Sequence, residues 1–387
     1  MDYATKSLKM RADAGDTDAM LELGKKYFDE DGEKHNYAKA AKYFKKAAEQ
    51  NCVEAYIELG KLYRSENPIG NSGLAEEYWK KAADLGSFEA MWLIASIYYE
   101  SSYGETDINK AIEWLEKPAN AGYIPAQLSL GHIYNGVNGT EVDFVKALKW
   151  FKKAAEQGSA EGQFEYGYFI TNATEITPLE VLKEGEMWLQ KAAENGYVEA
   201  YRALGNLYAY ACEKEFVDRE KAVSAFTAAA KAGLYEAMTD LGAFYCDNGQ
   251  VEKGIEAYKK AAEEGSFTAK SLLGDLYYNG ELVEKDYDKA FHWYSSGMNK
   301  YSEYTYFGVA KCYLYGAGVK KNYKKAVKLL KKAARYGSDA KYELGNCYHY
   351  GWGVKQNLEL ALNLWVAAAK EGSEAAKKTL KEKSSKR

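Results

Sequence analysis

Residues 54–63 read Glu54-Ala-Tyr-Ile-Glu-Leu-Gly-Lys-Leu-Tyr63, and residues 339–348 read Asp339-Ala-Lys-Tyr-Glu-Leu-Gly-Asn-Cys-Tyr348. The shared frame is Ala-x-x-x-Leu-Gly-x-x-Tyr. Its small residue returns at Gly24, Gly60, Ala95, Gly131, Gly167, Gly205, Gly242, Gly274, Ala310 and Gly345. The steps are 36, 35, 36, 36, 38, 37, 32, 36 and 35 residues. Three residues on stand Tyr27, Tyr63, Tyr98, Tyr134, Ile170, Tyr208, Tyr245, Tyr277, Tyr313 and Tyr348, which accounts for part of the 35 tyrosines in 387 residues. Self-similarity at such a period marks a repeat architecture.

Each copy has a second half, as in Lys39-Ala-Ala-Lys-Tyr-Phe-Lys-Lys-Ala-Ala48 and Lys146-Ala-Leu-Lys-Trp-Phe-Lys-Lys-Ala-Ala155. Small and aromatic residues recur there at helical spacing. A glycine follows at Gly86, Gly122, Gly158, Gly196, Gly233, Gly265, Gly337 and Gly372. Glycine takes the left-handed conformation that ends a helix without steric cost. Gly316-Ala-Gly318-Val319 and Gly351-Trp-Gly353-Val354 read as tight turns between the halves. Each copy is therefore helix A, turn, helix B. On helix A the leading Ala, the Leu and the Tyr fall on one side, which is the side to bury.

These motifs resemble the Sel1-like repeat, a relative of the tetratricopeptide repeat. The resemblance implies an all-α fold, a right-handed α-solenoid superhelix of about ten helix-turn-helix repeats. It also implies a role as an adaptor or scaffold in protein assemblies. The expected organisation is a capping half-repeat over 1–15, about ten repeats over 16–372, and a capping helix with a basic tail over 373–387. Stacked helix layers of roughly 9–10 Å predict a curved rod of about 100 Å, with a radius of gyration above the ~21 Å of a compact chain this long. Departures fall in the atypical stretch Thr171–Pro178 and in Trp293-Tyr-Ser-Ser-Gly-Met298, which replaces the usual Ala-Ala ending.

Composition narrows the function. Apolar residues are 47% and charged residues 28%, which excludes intrinsic disorder. Four prolines leave no Pro-rich linker. Lys+Arg 52 against Asp+Glu 56 gives a net −4, without the basic excess usual in nucleic-acid domains. No apolar run reaches membrane-spanning length. Charges at Asp2, Lys6, Lys9, Arg11 and Asp13 leave no apolar centre for a signal peptide, so a cytoplasmic location is expected. Sequons at Asn138-Gly-Thr140 and Asn172-Ala-Thr174 then read as chance occurrences. The cysteines Cys52, Cys212, Cys246, Cys312 and Cys347 are odd in number and scattered, unlike a disulfide framework. Cys312 and Cys347 fill an apolar core slot and should be reduced and slow to react.

No catalytic set is found. His35, His132, His292 and His349 belong to no His-Glu-x-x-His zinc pattern. There is no phosphate loop and no Gly-x-Ser-x-Gly elbow. No cofactor, metal or catalytic residue is therefore expected.

Slots filled alike in every copy answer to the fold, whereas slots that vary are free for a partner. The slots one and four after the repeat glycine, and three before it, lie opposite the buried stripe. In the related tetratricopeptide superhelix this face lines the concave groove. The candidate binding residues are Trp92, Tyr99, His132, Asn135, Tyr168, Arg202, Asn206, Asp275, Tyr278, Phe307, Lys311, Tyr342, Asn346 and His349. The set from Asp275 to His349 is the preferred half, because aromatic, charged and amide groups suit a peptide. Tyr278 and Asn346 are expected to be exposed, so that replacing both with Ala costs under about 1 kcal/mol, while Tyr277→Ala costs about 3. The leading reading is a non-enzymatic, monomeric adaptor that binds a peptide or helix of a partner protein. The alternatives are a self-assembling structural element and a hydrolase with an unfamiliar site.

Overall fold

The computed structural model describes residues 3–29, 36–65, 67–100, 106–136, 140–172, 177–298, 303–335 and 337–384. His35, both sequons in part (Asn138 and Thr174) and the last three residues of the basic tail lie outside them. The described residues are helical, with no strand. They fall into two compact units, Met1–Tyr197 and Val198–Arg387.

The first unit holds α1 (Tyr3–Asp13), α2 (Thr17–Asp29), α3 (Tyr37–Ala48), α4 (Val53–Arg64), α5 (Ser72–Asp84), α6 (Phe88–Tyr99), α7 (Ile108–Asn120), α8 (Ile124–Tyr134), α9 (Phe144–Glu156), α10 (Ala160–Thr171) and α11 (Leu179–Glu194). The second holds α12 (Glu199–Tyr210), α13 (Arg219–Lys231), α14 (Glu236–Asp247), α15 (Val251–Glu263), α16 (Phe267–Asn279), α17 (Tyr287–Ser296), α18 (Glu303–Tyr315), α19 (Tyr323–Ala333), α20 (Ser338–Tyr350), α21 (Leu358–Lys370) and α22 (Glu374–Ser384). Even-numbered helices from α2 to α20 are helix A, and each packs on the odd-numbered helix B that follows it.

The repeat glycine is a docking seat for a ring. A Cβ on Gly24 would lie 2.5 Å from Phe44, on Gly60 2.0 Å from Trp79, on Gly131 2.4 Å from Phe151 and on Gly274 2.4 Å from Tyr294. Gly205, Gly242 and Gly345 meet Phe226, Tyr258 and Trp365 in the same way. The two copies with alanine, Ala95 and Ala310, carry Leu115 and Leu330 where the ring would be, and both leucines are fully buried. In these nine copies ring and missing methyl vary together, as close packing requires; in the fifth, Gly167 faces Leu189 and the Gly185 carbonyl instead, each 3.1 Å from where its Cβ would be.

The repeat tyrosine closes the turn. In all nine copies that have it, its carbonyl accepts the backbone N–H of the residue capping helix B, at 2.7–3.0 Å; Asp143 to Tyr134 and Asn357 to Tyr348 are examples. Eight of those caps, among them Asn36, Asp107, Asp143 and Asp286, also accept the amide three residues on with a side-chain oxygen. A lysine ammonium sits 4.8–6.0 Å from each of the nine rings. In the fifth copy Ile170 replaces the tyrosine and Pro178 caps α11. Proline has no N–H to give, so that copy's atypical sequence and its missing link coincide.

Most helix-B stops behave as the sequence predicts, with φ between 86° and 101° at Gly86, Gly122, Gly158, Gly196, Gly233, Gly265 and Gly372. Gly337 is the exception: it stands at φ −111° and caps the start of α20. In the first copy Asn51 takes the left-handed slot at φ 58°. Cys312 and Cys347 are free and fully buried, and burial pushes their thiols up to about 11 and about 12.

Candidate functional site

Helix A of three successive repeats builds a cavity of about 470 Å³ in the second unit. Ser271 and Asp275 come from α16, Phe307, Gly308 and Lys311 from α18, and Ser338 and Asp339 from the start of α20. Gly308 lets α18 seat against the buried Tyr294 ring, where a Cβ would lie 2.3 Å from it. Lys311, 19% exposed, holds its ammonium 4.6 Å from the Tyr278 ring centre, 5.1 Å from Phe307 and 3.9 Å from the Asp275 carboxylate. Asp275 also accepts the Tyr294 hydroxyl at 2.6 Å. The cavity thus presents one lysine already flanked by rings and an acid, beside an aromatic face and two hydroxyls.

The preferred sequence set divides here. Asp275, Phe307 and Lys311 share the cavity. Tyr278 is half-buried behind it, edge-on to Tyr287 at 5.4 Å, with its hydroxyl pushed up to about 12 by burial. The expectation of an exposed Tyr278 beside a buried Tyr277 is therefore corrected: both are half-buried and pack on the same core cluster. Tyr342, Asn346 and His349 turn onto the helices that follow. The Tyr342 hydroxyl lies 3.1 Å from Thr379 of α22. Asn346, half-buried rather than exposed, accepts from Trp365 Nε1 at 3.2 Å and donates to Glu343 at 3.1 Å. His349 packs on Trp365, with Lys383 Nζ 3.3 Å from its Nε2. Burial first, and Lys383 second, lower its pKa. It lines a second cavity of about 760 Å³ with Leu358, Leu362, Trp365, Leu380, Lys381 and Lys383. Arg202 pairs with Asp240 through both its Nε and an outer nitrogen, and Asn206 is exposed.

In the first unit Trp92 donates to Ser129 at 2.9 Å, and Tyr99 is half-buried. Asn135 ends α8, and exposed Tyr168 stacks on Phe164 at 5.6 Å. His132 Nε2 lies 3.3 Å from Glu161, which raises the imidazole pKa, while burial raises that of neighbouring Glu165.

Sequence reasoning missed a ladder between neighbouring copies. Lys25 pairs with Glu54 at 2.5 Å, Lys61 with Glu89 at 3.0 Å and His132 with Glu161 at 3.3 Å. The cation is always one after a repeat glycine, and the acid is six before the next small residue. Variation in that first slot is therefore tied in part to the following copy. The signal was present as an acid at constant register. Among the described residues, no group of three or more His, Cys, Asp and Glu could hold a metal ion. No described helix is long and apolar enough to cross a membrane.

A family model described as the Sel1 repeat matches residues 17–52, 53–87, 88–123, 124–159, 160–197, 236–266, 268–297, 304–337 and 338–373. The chain belongs to the Sel1 repeat family. Nine repeats are matched, whereas the described residues form ten helix pairs. The unmatched pair is α12 and α13, which nonetheless keeps the Gly205–Phe226 seat and the Tyr208–Asp218 turn bond. Among solved structures the chain is similar to c5321, a protective antigen present in uropathogenic Escherichia coli strains displaying an SLR fold. The two are 26% identical with a TM-score of 0.52, covering 96% of this chain and 88% of that one. A Sel1 repeat protein from Oxalobacter formigenes is 21% identical with a TM-score of 0.46, covering 99% and 90%. A putative Sel1 repeat protein from Klebsiella pneumoniae is 24% identical with a TM-score of 0.35, covering 52% and 98%. Curated protein sequences give no match. The Sel1 repeat fold generally mediates protein–protein interaction.

Proposed function

We propose that this Sel1 repeat chain is a non-enzymatic adaptor that holds a peptide or helix of a partner protein on the helix-A face of its second unit. The observation that carries this reading is the cavity between α16, α18 and α20. Its side chains come from three consecutive copies, so an extended ligand crossing them meets Asp275, Phe307 and Lys311 in turn. Lys311 supplies donors for a backbone carbonyl or a carboxylate, and Phe307 supplies apolar area. Asn206, Tyr342 and Asn346 of the same unit are secondary contacts in this reading, and the first-unit residues from Trp92 to Tyr168 are not part of this site.

Selection of phage-displayed peptides on the purified chain tests it. Selected peptides should bind Phe307→Ala and Lys311→Met at least ten-fold more weakly, on the order of 1–2 kcal/mol per anchor. Peptides that bind both variants with unchanged affinity would place the binding face elsewhere.

A further inference from the structure

From residue 320 to residue 335 the chain carries Lys320, Lys321, Lys324, Lys325, Lys328, Lys331, Lys332 and Arg335, with no Asp or Glu among them, in a chain whose net charge is −4. All eight are exposed. Lys324, Lys325, Lys328, Lys331 and Lys332 fall on one side of α19, because Ala326, Val327, Leu330 and Ala333 face the core from the other; Lys320 and Lys321 precede the helix and Arg335 follows it. None of the eight pairs with a carboxylate among the described residues. This contrasts with Lys25 and Lys61 of helix A, which the ladder between copies pairs with Glu54 and Glu89. On the preceding helix B, Asp288 and Lys289 offset one another at the slots of Lys324 and Lys325. The preceding helix B thus adds no net charge at those two slots.

The neighbouring helix B adds apolar groups in the same register. Leu360 and Val366 of α21 stand 35 residues after Lys325 and Lys331, and are 36% and 38% exposed. Leu362 beside them is 44% exposed. Glu359 is the acid of this helix closest in register to the lysines, at the slot of Lys324.

We propose that the solvent face of α19, with Leu360 and Val366 of α21 at its edge, docks on an anionic phospholipid surface. The side chains select this partner over a nucleic acid. Seven of the eight cations are lysine, a point charge on a flexible stem that needs no fixed geometry in its anion. No ring among them is free for base stacking, because Tyr323 is stacked on Trp352 at 5.6 Å. Clusters of four to eight basic residues on a helix attract the negative headgroup layer, and exposed aliphatic side chains beside them enter the interface. Ala333 on the core side of α19 lines the cavity, whereas these lysines stand on its solvent side, so the proposal does not rest on the adaptor reading.

The experiment is co-sedimentation of the whole chain with phosphatidylcholine vesicles, with and without phosphatidylserine. Phosphatidylserine vesicles should retain the protein, phosphatidylcholine alone should not, and added salt should release most of it. Each lysine near the leaflet is worth roughly a five-fold factor in partitioning. Lys324→Gln with Lys328→Gln and Lys331→Gln should therefore lower retention about 100-fold while leaving the helical circular-dichroism spectrum unchanged. Leu360→Ser with Val366→Ser should remove the fraction that survives salt. Equal retention by the two vesicle types, no retention at all, or an unaffected triple variant would overturn the proposal. So would a duplex oligonucleotide that displaces the protein from the vesicles.

Discussion

At Gly60 the backbone of α4 lies against Trp79 so closely that a methyl group would sit 2.0 Å from the indole nitrogen. Gly60→Ala should destabilise the chain by about 2 kcal/mol, as overpacking does. Trp79→Leu leaves a void of its own. The double variant, however, reproduces the Ala95–Leu115 pair two helices on, and should cost at least 1 kcal/mol less than the two single costs together. Urea denaturation of the four proteins measures that coupling; additive costs would show that the methyl and the ring do not compete. Half-buried Tyr278 belongs to the same scale. Its ring carries the Lys311 ammonium and packs on Tyr287, so Tyr278→Ala should cost about 2 kcal/mol, close to Tyr277→Ala rather than far below it. Sequence periodicity told which face of helix A is buried. It did not tell that the opposite face is half-covered, because that depends on lysines and rings from the next copy.

Among the helices, the turn between A and B is held by two bonds to one capping residue. Asp143 accepts the Lys146 amide at 3.0 Å and donates its own N–H to the Tyr134 carbonyl at 2.7 Å. Asp143→Ala removes the first and keeps the second, so a loss of about 1 kcal/mol is expected in chemical denaturation. Between neighbouring copies the His132–Glu161 pair introduces a pH dependence. Glu161 raises the histidine above its ordinary 6.5. That contribution is complete below pH 6.5 and is lost as pH rises through the raised value. Burial raises Glu165, whose ionisation above its usual 4.5 also opposes folding. The melting temperature should therefore fall as pH rises from 6 to 8, and His132→Gln should flatten the part due to the imidazole. A profile unchanged in that variant would remove His132 from the account. Helix pairs, turns and stops were legible in the sequence because each copy restates them. Gly337 misled because a glycine before a helix and a glycine after one look alike in sequence.

For the whole molecule, each copy touches mainly its sequence neighbours, and stability is a sum of local terms. A lesion in one copy should stay local. Hydrogen exchange in Gly60→Ala should rise across α3 to α6 and remain unchanged across α18 to α21. Uniform acceleration would instead mark a single cooperative block. The family and the all-α fold could be read from residues 54–63 and their echoes. The cavity could not be read in full: Asp275, Phe307 and Lys311 were in the right register, but the gap beside them depends on how α16, α18 and α20 pack, and no periodic pattern announces that.

The seat between repeat glycine and ring also bears on how such a chain can grow. Both partners lie within one copy, about twenty residues apart. Duplication or loss of a segment cut between helix B and the next helix A carries glycine and ring together. A cut between A and B of the same copy would exchange partners, setting an alanine against a tryptophan or a glycine against a leucine. The first product clashes, and the second leaves a hole unless a second glycine lets the helices close, as Gly185 does where Gly167 meets Leu189. Recombination within this gene is therefore tolerated at one phase of the repeat and punished at the other, and the number of copies can change without any new packing solution being found.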